Sequence, residues 1–343
     1  MKNSGIGGQA LMEGVMMRNG KDYACAVRKT DGNIEMMHGI HTGIGGSAKL
    51  RQIPFVRGPF IFLDSVKLGL STLNWSSSLF MEEEEEEKTS APEEKVSEEA
   101  APSSGPAAEA GEESAETAVS AGKEDVAKEA KSDKASVGET ALMGASILFA
   151  LALSIGLFIV LPTVLVRLMK KWITSTALIS LLEGIIRIVI FLLYLYLISL
   201  MKEIRRVFMY HGAEHKCINC VEHGLPLTVD NVRSSTRFHK RCGTSFILFT
   251  LIVSIFVGIF LPKAPVLLRI GCKLLALPIV MSLSYEFIRL AGSTENKIIA
   301  ALSKPGLWLQ RLTTKEPEDD MIEVGIASVE AVFDWKTWEE ENF

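Results

Sequence analysis

The sequence predicts a predominantly α-helical integral membrane protein of about four transmembrane helices, with a small N-terminal β-rich cytoplasmic unit, a cytoplasmic metal-site loop and C-terminal helices. Three observations predict it. Apolar runs able to cross a hydrocarbon core of roughly 30 Å recur after residue 140. A hairpin pattern lies in the first 50 residues. Basic residues gather in the short segments that would join the spans on one side.

In chain order, residues 1–50 read as the β-rich unit. "YACAVRKTDGNIEMM" alternates apolar residues on both sides of Asp31-Gly32, a turn dipeptide suited to a tight hairpin. Ahead of it, "GIGGQALMEGVMMRNG" has glycines at 5, 7, 8, 14 and 20. They read as turns and bulges, because no strand–GxGxxG–helix setting surrounds them. His38 and His41 follow the hairpin and read as surface or turn residues. Residues 51–80 hold an amphipathic helix, with Val56, Phe60, Leu63, Leu70 and Leu73 on one side and Arg57, Asp64 and Ser71 on the other. It would lie at the membrane surface or against the bundle. Were it to span instead, the N-terminal unit would change sides.

Residues 82–139 hold 19 acidic and 6 basic residues, a local balance of −13, and no aromatic residue. Such a stretch cannot bury enough apolar surface to offset chain entropy, so it reads as a disordered linker. The rest of the chain has 30 Lys+Arg against 22 Asp+Glu. Apolar runs then fill 141–201 and 246–290 as two pairs of spans. The first pair is Ala141–Val166 and Leu178–Met201, the latter broken by Glu183 and Arg187. The second is Phe246–Pro262 and Pro265–Leu290, which carries Arg269, Lys273, Glu286 and Arg289. Charges at such depth are costly unless paired or facing a polar cavity. Glu183 and Arg187, four apart, read as an ion pair inside the bundle, or as the lining of a polar cavity that reaches the loop beyond.

Residues 202–245, between the two pairs, hold eight basic residues: Lys202, Arg205, Arg206, Lys216, Arg233, Arg237, Lys240 and Arg241. That places this loop, the N-terminal unit and the C-terminus in the cytoplasm. The five cysteines then face a reducing compartment, where metal ligation or inert burial is the usual use. Cys25 and Cys272 read as small buried apolar residues. Residues 291–343 read as cytoplasmic helices joined by "SKPGLWLQRLTTKEPEDD", with Ile322, Ile326, Val329 and Phe333 at helical spacing.

The chemistry concentrates in "MYHGAEHKCINCVEHG", residues 209–224, and "HKRCG", residues 239–243. No proline separates the second apolar run from "KEIRRVFMYHGAEHK", so one continuous helix is expected. On it His211 and His215 stand one above the other, a spacing that lets two imidazoles share one ion. Glu214 between them completes His-x-x-Glu-His, in which two histidines bind zinc and the carboxylate serves as general base. Gly212 weakens that helix locally. Two partitions remain open. In one, His211, His215 and one of His239, Cys220 or Cys242 leave a coordination position free, with Glu214 as the catalytic base. In the other, Cys217, Cys220, His239 and Cys242 close a structural knuckle. His223 reads as a loop residue.

Four blocks, "GGQALMEGVMMRNG" (7–20), "VFMYHGAEHKCINCVEHG" (207–224), "RFHKRCGTSF" (237–246) and "PGLWLQRLTTKEPEDDMIEV" (305–324), resemble the YqhQ-like family of bacterial membrane proteins, described as metal-dependent enzymes of unknown substrate. The likeness covers nearly the whole chain apart from the acidic stretch. It implies a bacterial multi-pass membrane protein with a metal site at His211, Glu214 and His215, joined by His239 and Cys242. Cys217 stands where the family would have a hydroxyl or apolar residue, which favours the histidine-pair partition.

The expectation is therefore a zinc-dependent hydrolase at the cytoplasmic face of the bacterial inner membrane, acting on a membrane-associated substrate. The alternatives are a scaffold or assembly factor with a structural zinc loop, and a metal transporter or sensor using Glu183, Arg187 and the thiols. Glu13, an acid between Met12 and Gly14, is a further candidate for a supporting or substrate-contacting role. The lipid bilayer is the expected partner, a homo-oligomer is compatible with the sequence, and nothing points to nucleic acid.

Overall fold

The computed structural model describes residues 2–43, 52–90, 137–169, 175–262, 264–294 and 296–343. Its first element is an antiparallel meander, β1 (Gly7–Leu11), β2 (Gly14–Asn19), β3 (Asp22–Arg28) and β4 (Ile34–Ile40), in the order β1-β2-β3-β4. The glycine-rich block is thus strand as well as turn. Leu11 pairs with Gly14 across a tight turn in which Glu13 takes φ 50°. The Asp31-Gly32 hairpin is present, but its loop is wider than a two-residue turn, because the last paired residues are Arg28 and Ile34.

Alternation along the strands gives the sheet two apolar faces. Val15, Met17 and Ala26 pack on one side against helices from the middle and end of the chain, while Leu11, Met16, Cys25 and Val27 meet Leu68 on the other. Cys25 is fully buried, as read, whereas Cys272 is half-buried.

The helix after the sheet, α1 (Arg57–Ser90), begins close to the expected place but runs on into the acidic stretch. Glutamate and lysine are good helix formers, so the run that follows Met81 extends it. Residues 91–136, the rest of the expected linker, lie outside the described residues. Its two sides are also reversed from those of a helix packed in water. Arg57 and Asp64 are 9% and 3% exposed, while Leu63 and Leu70 are 52% and 55% exposed. The polar side turns inward at Arg57 and Asp64, where partners wait, while Ser71 stays exposed. Arg57 makes a two-pronged bond to Glu286 at 2.7 and 2.5 Å, and Asp64 meets His41 at 2.9 Å. His41 is accordingly half-buried and bonded, not a plain surface residue; His38 is exposed.

Four helical segments form the bundle. The first is α2 (Val137–Ile155), continued through a π-helical turn at Gly156–Val160 into α3 (Leu161–Leu168). The others are α4 (Thr176–Ile198), α7 (Gly243–Ile259) and α8 (Val266–Ser293). Among the described residues, three stretches are long and apolar enough to cross a membrane: Gly144–Leu168, Ala177–Ile198 and Val266–Ser293. The apolar α7 is shorter. The expected Glu183–Arg187 pair does not form. Glu183 bonds Arg269 and Lys273 of α8 at 3.2 and 2.8 Å, and Arg187 turns to the Phe158 carbonyl and Ser254 at 2.7 and 2.8 Å.

The helix expected to run unbroken from the second apolar stretch to the histidines is two helices. α4 stops at Ile198, Ser199 bonds back to the Tyr196 carbonyl at 2.7 Å, and Met201 is extended at φ −71°, ψ 135°. α5 (Lys202–Glu222) then starts as a separate helix. Neither Pro nor Gly marks this break. The reason is tertiary: α5 packs Tyr210, Ala213, Cys217, Ile218 and Val221 against the sheet and against Met321, Ile322 and Val324 of α10 (Asp319–Glu330). So 202–245 is mostly helix, with α6 (Val229–Ser234) following α5. At the end of the chain α9 (Lys297–Thr313) passes through Pro305, so the joint to α10 is shorter than the sequence implied; α11 (Trp335–Asn342) closes the chain.

Candidate functional site

The site is built on the second half of α5, which is buried on every side. His211 and His215 lie on one face, with ring centroids 4.4 Å apart. Each ring is oriented by a backbone carbonyl at its Nδ1: Thr313 O for His211 at 2.9 Å and Arg237 O for His215 at 2.7 Å. Donating Nδ1–H to a carbonyl leaves Nε2 as the ligating atom of each ring, the usual way a ligating histidine is held. Cys242, which caps the N-terminus of α7, completes the group. Its Sγ is 3.3 Å from His211 Nε2, and one ligand atom from each of the three residues lies within 4.8 Å of the others.

Two segments far apart in sequence supply the carbonyls, and α5 itself pins both. Lys216 Nζ donates to the Arg233 and Ser235 carbonyls at 2.8 and 2.9 Å, and Asn219 donates to that of Thr236 at 2.6 Å. These bonds fix the strip that carries Arg237 O. On the other side the Lys315 amide bonds the Phe208 carbonyl at 2.8 Å, drawing the end of α9 onto α5. Gly212 makes that approach possible: a Cβ there would collide with the Lys315 carbonyl. What reads in sequence as a weak point of the helix is the slot through which His211 reaches Thr313.

Glu214 is 5% exposed, and its Oε2 is 3.9 Å from His211 Nε2. β1 lies directly against it. A Cβ on Gly8 would stand 2.8 Å from Glu214 Cγ, so the glycine-rich block serves the site by letting a strand pass the carboxylate.

The charge states follow from burial against neighbours. Burial works against the Cys242 thiolate, yet the adjacent His211 and His215 hold the thiol well below its ordinary range. Burial likewise opposes a charged His211, but Cys242 and then Glu214 push it up to about 9. The lowered thiol and the raised imidazole stabilise each other's charged forms, and a divalent cation would take the place of the proton between them.

The remaining residues singled out in sequence fall elsewhere. His239 does not join the three. Its ring is 5.7 Å from that of His215, its Nε2 lies 3.5 Å from Glu222 Oε2, and Gln310 clamps its backbone at 2.8 and 2.7 Å. Cys220 points to the opposite side of α5, where its Sγ contacts the Leu225 and Pro226 carbonyls at 3.5 Å, and burial pushes its thiol up to about 11. Cys217 packs against Gly325 of α10, with its thiol raised well above the ordinary range by burial. The closed knuckle of Cys217, Cys220, His239 and Cys242 is therefore not formed, because α5 aims its two thiols into the α6–α10 core. His223 is exposed and bonds the Asn219 carbonyl at 2.7 Å, closing α5 as a loop residue would. Glu13 braces the sheet: it grips Arg206 with both oxygens at 2.5 Å and meets the Tyr210 hydroxyl at 3.3 Å.

Sequence reasoning missed Gly8, Thr313, Arg237, Lys216 and Thr244, whose hydroxyl is 3.0 Å from Cys242 Sγ. Two of these act through backbone carbonyls, which every residue type has, so no motif could have marked them.

The fold and this cluster define a largely helical protein with a four-stranded N-terminal sheet and a buried histidine–thiol group between sheet and bundle. The chain belongs to the family described as protein of unknown function DUF1385, which matches residues 53–335. It is 32% identical to the uncharacterized protein YqhQ of Bacillus subtilis strain 168, over 98% of this chain and 94% of that protein. No solved structure matches it.

Proposed function

We propose that this chain is a multi-pass protein of the bacterial cytoplasmic membrane whose cytoplasmic unit is a zinc-dependent hydrolase acting on a membrane-associated substrate. The observation that carries the chemistry is the convergence of His211, His215 and Cys242 within 4.8 Å, both imidazoles turned by carbonyls at Nδ1. Three protein ligands and one free position are the pattern of catalytic zinc, whereas structural zinc takes four. The donor set suits a borderline-soft divalent ion. Such an ion would supply Lewis acidity at the site. Glu214, buried beside His211, is placed to accept a proton at Oε2 and return it to a leaving group.

The membrane reading is supported by packing as well as by hydropathy. α5 contacts β1 and α10, so the N-terminal sheet, the middle segment and the C-terminal helices form one unit. One unit lies on one side of a membrane, so the chain must cross an even number of times between each pair of its parts. α2–α3 with α4 make the first two crossings, and α7 with α8 make the second two. α7, at 17 residues, is then a crossing near the lower length limit. α1 is a non-crossing helix at the interface, with its apolar side toward lipid.

Elemental analysis of the purified protein tests the site. One zinc per chain is expected in the wild type and none in His211→Ala/His215→Ala; equal metal in both sinks the reading. Glu214→Gln should keep the ion yet fail to complement a deletion strain. Full complementation would return the cluster to the scaffold role. A second reading has its own support, because Cys242 caps α7 within 3.3 Å of His211 and could act as a thiolate nucleophile. A metal-free wild-type protein in which iodoacetamide labels Cys242 faster than a free thiol at pH 7 would favour it.

A further inference from the structure

A partly open cavity of about 370 Å³ lies between α1, α4, α7 and α8, apart from the histidine–thiol cluster. Along α7 it runs from Phe246 to Gly258, about 18 Å at the helical rise of 1.5 Å per residue. Most of its wall is apolar and aromatic, including Phe62, Phe158 and Leu251. One end is different. Glu183, Arg187 and Lys273 face it there, and Arg269 stands behind them, bonded to Glu183 and Ser180. Among the described residues, one carboxylate against three cations leaves a formal charge of +2 in a largely apolar setting.

These charges are held in place and do not neutralise one another. Glu183 Oε2 is shared between Arg269 and Lys273, and Lys273 also bonds Thr163 at 2.7 Å. Arg187 makes no hydrogen bond to Glu183, though the two charges lie near enough to interact. Its Nε donates to the Phe158 carbonyl at 2.7 Å. That carbonyl stands four residues before Pro162, which has no N–H to offer it, and lies in the π-helical turn. The helix irregularity therefore seats a guanidinium at the cavity wall, a use often made of π turns at functional sites. Unbalanced charge inside a bundle is costly and marks a ligand position.

We propose that this cavity binds an amphiphilic anion, an acyl chain ending in a carboxylate or phosphate, with its head on Arg187 and Lys273 and its chain along α7. The proposal rests on the membrane reading above and is independent of the metal. Glu183 is about 22 Å along α4 from the end that leads to α5, at 1.5 Å per residue. The head then lies in the half of the bundle remote from the cluster, with the chain pointing back toward it, as in a lipid of the outer leaflet. Charge decides the head and the apolar wall decides the tail.

The full-length protein is extracted in dodecyl maltoside and examined by native mass spectrometry, then stripped and tested for thermal shift with palmitate, phosphatidylglycerol and phosphatidylcholine. An anionic adduct on the wild type and a rise in Tm of several degrees with an anionic amphiphile alone are expected. Palmitate as the sole stabiliser identifies a fatty acid, and phosphatidylglycerol a phospholipid. Arg187→Gln/Lys273→Gln should weaken that binding at least tenfold, and Leu251→Trp, which fills the cavity without touching a charge, should abolish it. Equal shifts with phosphatidylcholine, or none with any amphiphile, overturn the proposal. Retention of the chain in carbonate-washed membranes with no anion bound removes this inference alone; its release by carbonate removes the membrane reading as well.

Discussion

α4 and α5 are consecutive helices separated by Ser199–Met201, and they are built inside out relative to each other. In α4 the outer surface is apolar, with Val189 and Leu193 57% and 55% exposed, while Ser180 and Glu183 are 4% and 3% exposed. In α5 the exposed residues of the first turns are Lys202, Glu203, Arg205 and Arg206, and Tyr210 and Cys217 are fully buried. A helix facing water hides its apolar side and a helix facing lipid has no reason to. The contrast teaches that the polar residues of the two regions answer to different pressures. In the bundle they must find one another or a ligand, and in the α5 unit they hold loops against a core.

Substitutions can break that contrast. The largest effect is expected from Ile322→Ala in the core between α10 and α5, which should cost roughly 2–5 kcal/mol by thermal or chemical unfolding. Leu193→Ala, equal in kind but on the outer face of α4, should stay within about 0.5 kcal/mol in detergent. Equal losses would mean that α4 is covered by protein.

Val189→Asp comes next. At the centre of a spanning helix a carboxylate costs about 2.5–3.5 kcal/mol of insertion free energy, so the variant should accumulate poorly in membranes. Normal accumulation would argue that α4 faces water.

Gly212→Ala sets propensity against packing. Alanine favours the helix by about 1 kcal/mol. The collision with Lys315 should outweigh this, for a net loss of about 1–3 kcal/mol by thermal unfolding. A more stable variant would show that the α9–α5 joint can yield.

The smallest effect is pH-dependent. Burial would raise Glu222, but His239, Arg241 and the Ser4 amide bring it below its ordinary 4.5. Its contribution is present above pH 4.5 and is lost as the pH falls through the lower folded value. Glu222→Gln should flatten the acid limb of Tm against pH, and an unchanged limb would show that the carboxylate is not linked to folding.

Much of this contrast was legible in the residues. Period-two alternation marked β3 and β4, whereas β1 and β2 lay in the glycine-rich block that read as turns and bulges, and apolar runs marked α2–α4, α7 and α8. His211 and His215 were legible as a pair because a helix brings every fourth residue to one face. The inward turn of Arg57 was not, since its partner Glu286 is 229 residues away. Nor was the break at Ser199–Met201, which no Pro or Gly announces. Glu183 and Arg187 have the spacing of a pair, but α8 offers Glu183 two cations and the π turn offers Arg187 a carbonyl.

The sequence by itself determined the local periods: which stretches are strand or helix, which are apolar enough for lipid, and which two histidines share a face. Only the tertiary structure decided the membership of the cluster. Cys242 joins because α7 starts beside His211, and Cys220 stays out because α5 turns it toward α6. The reason is one of range: hydrogen bonding and side-chain period act within a few residues, whereas the direction of a thiol or an imidazole depends on what the far ends of the chain bring against it.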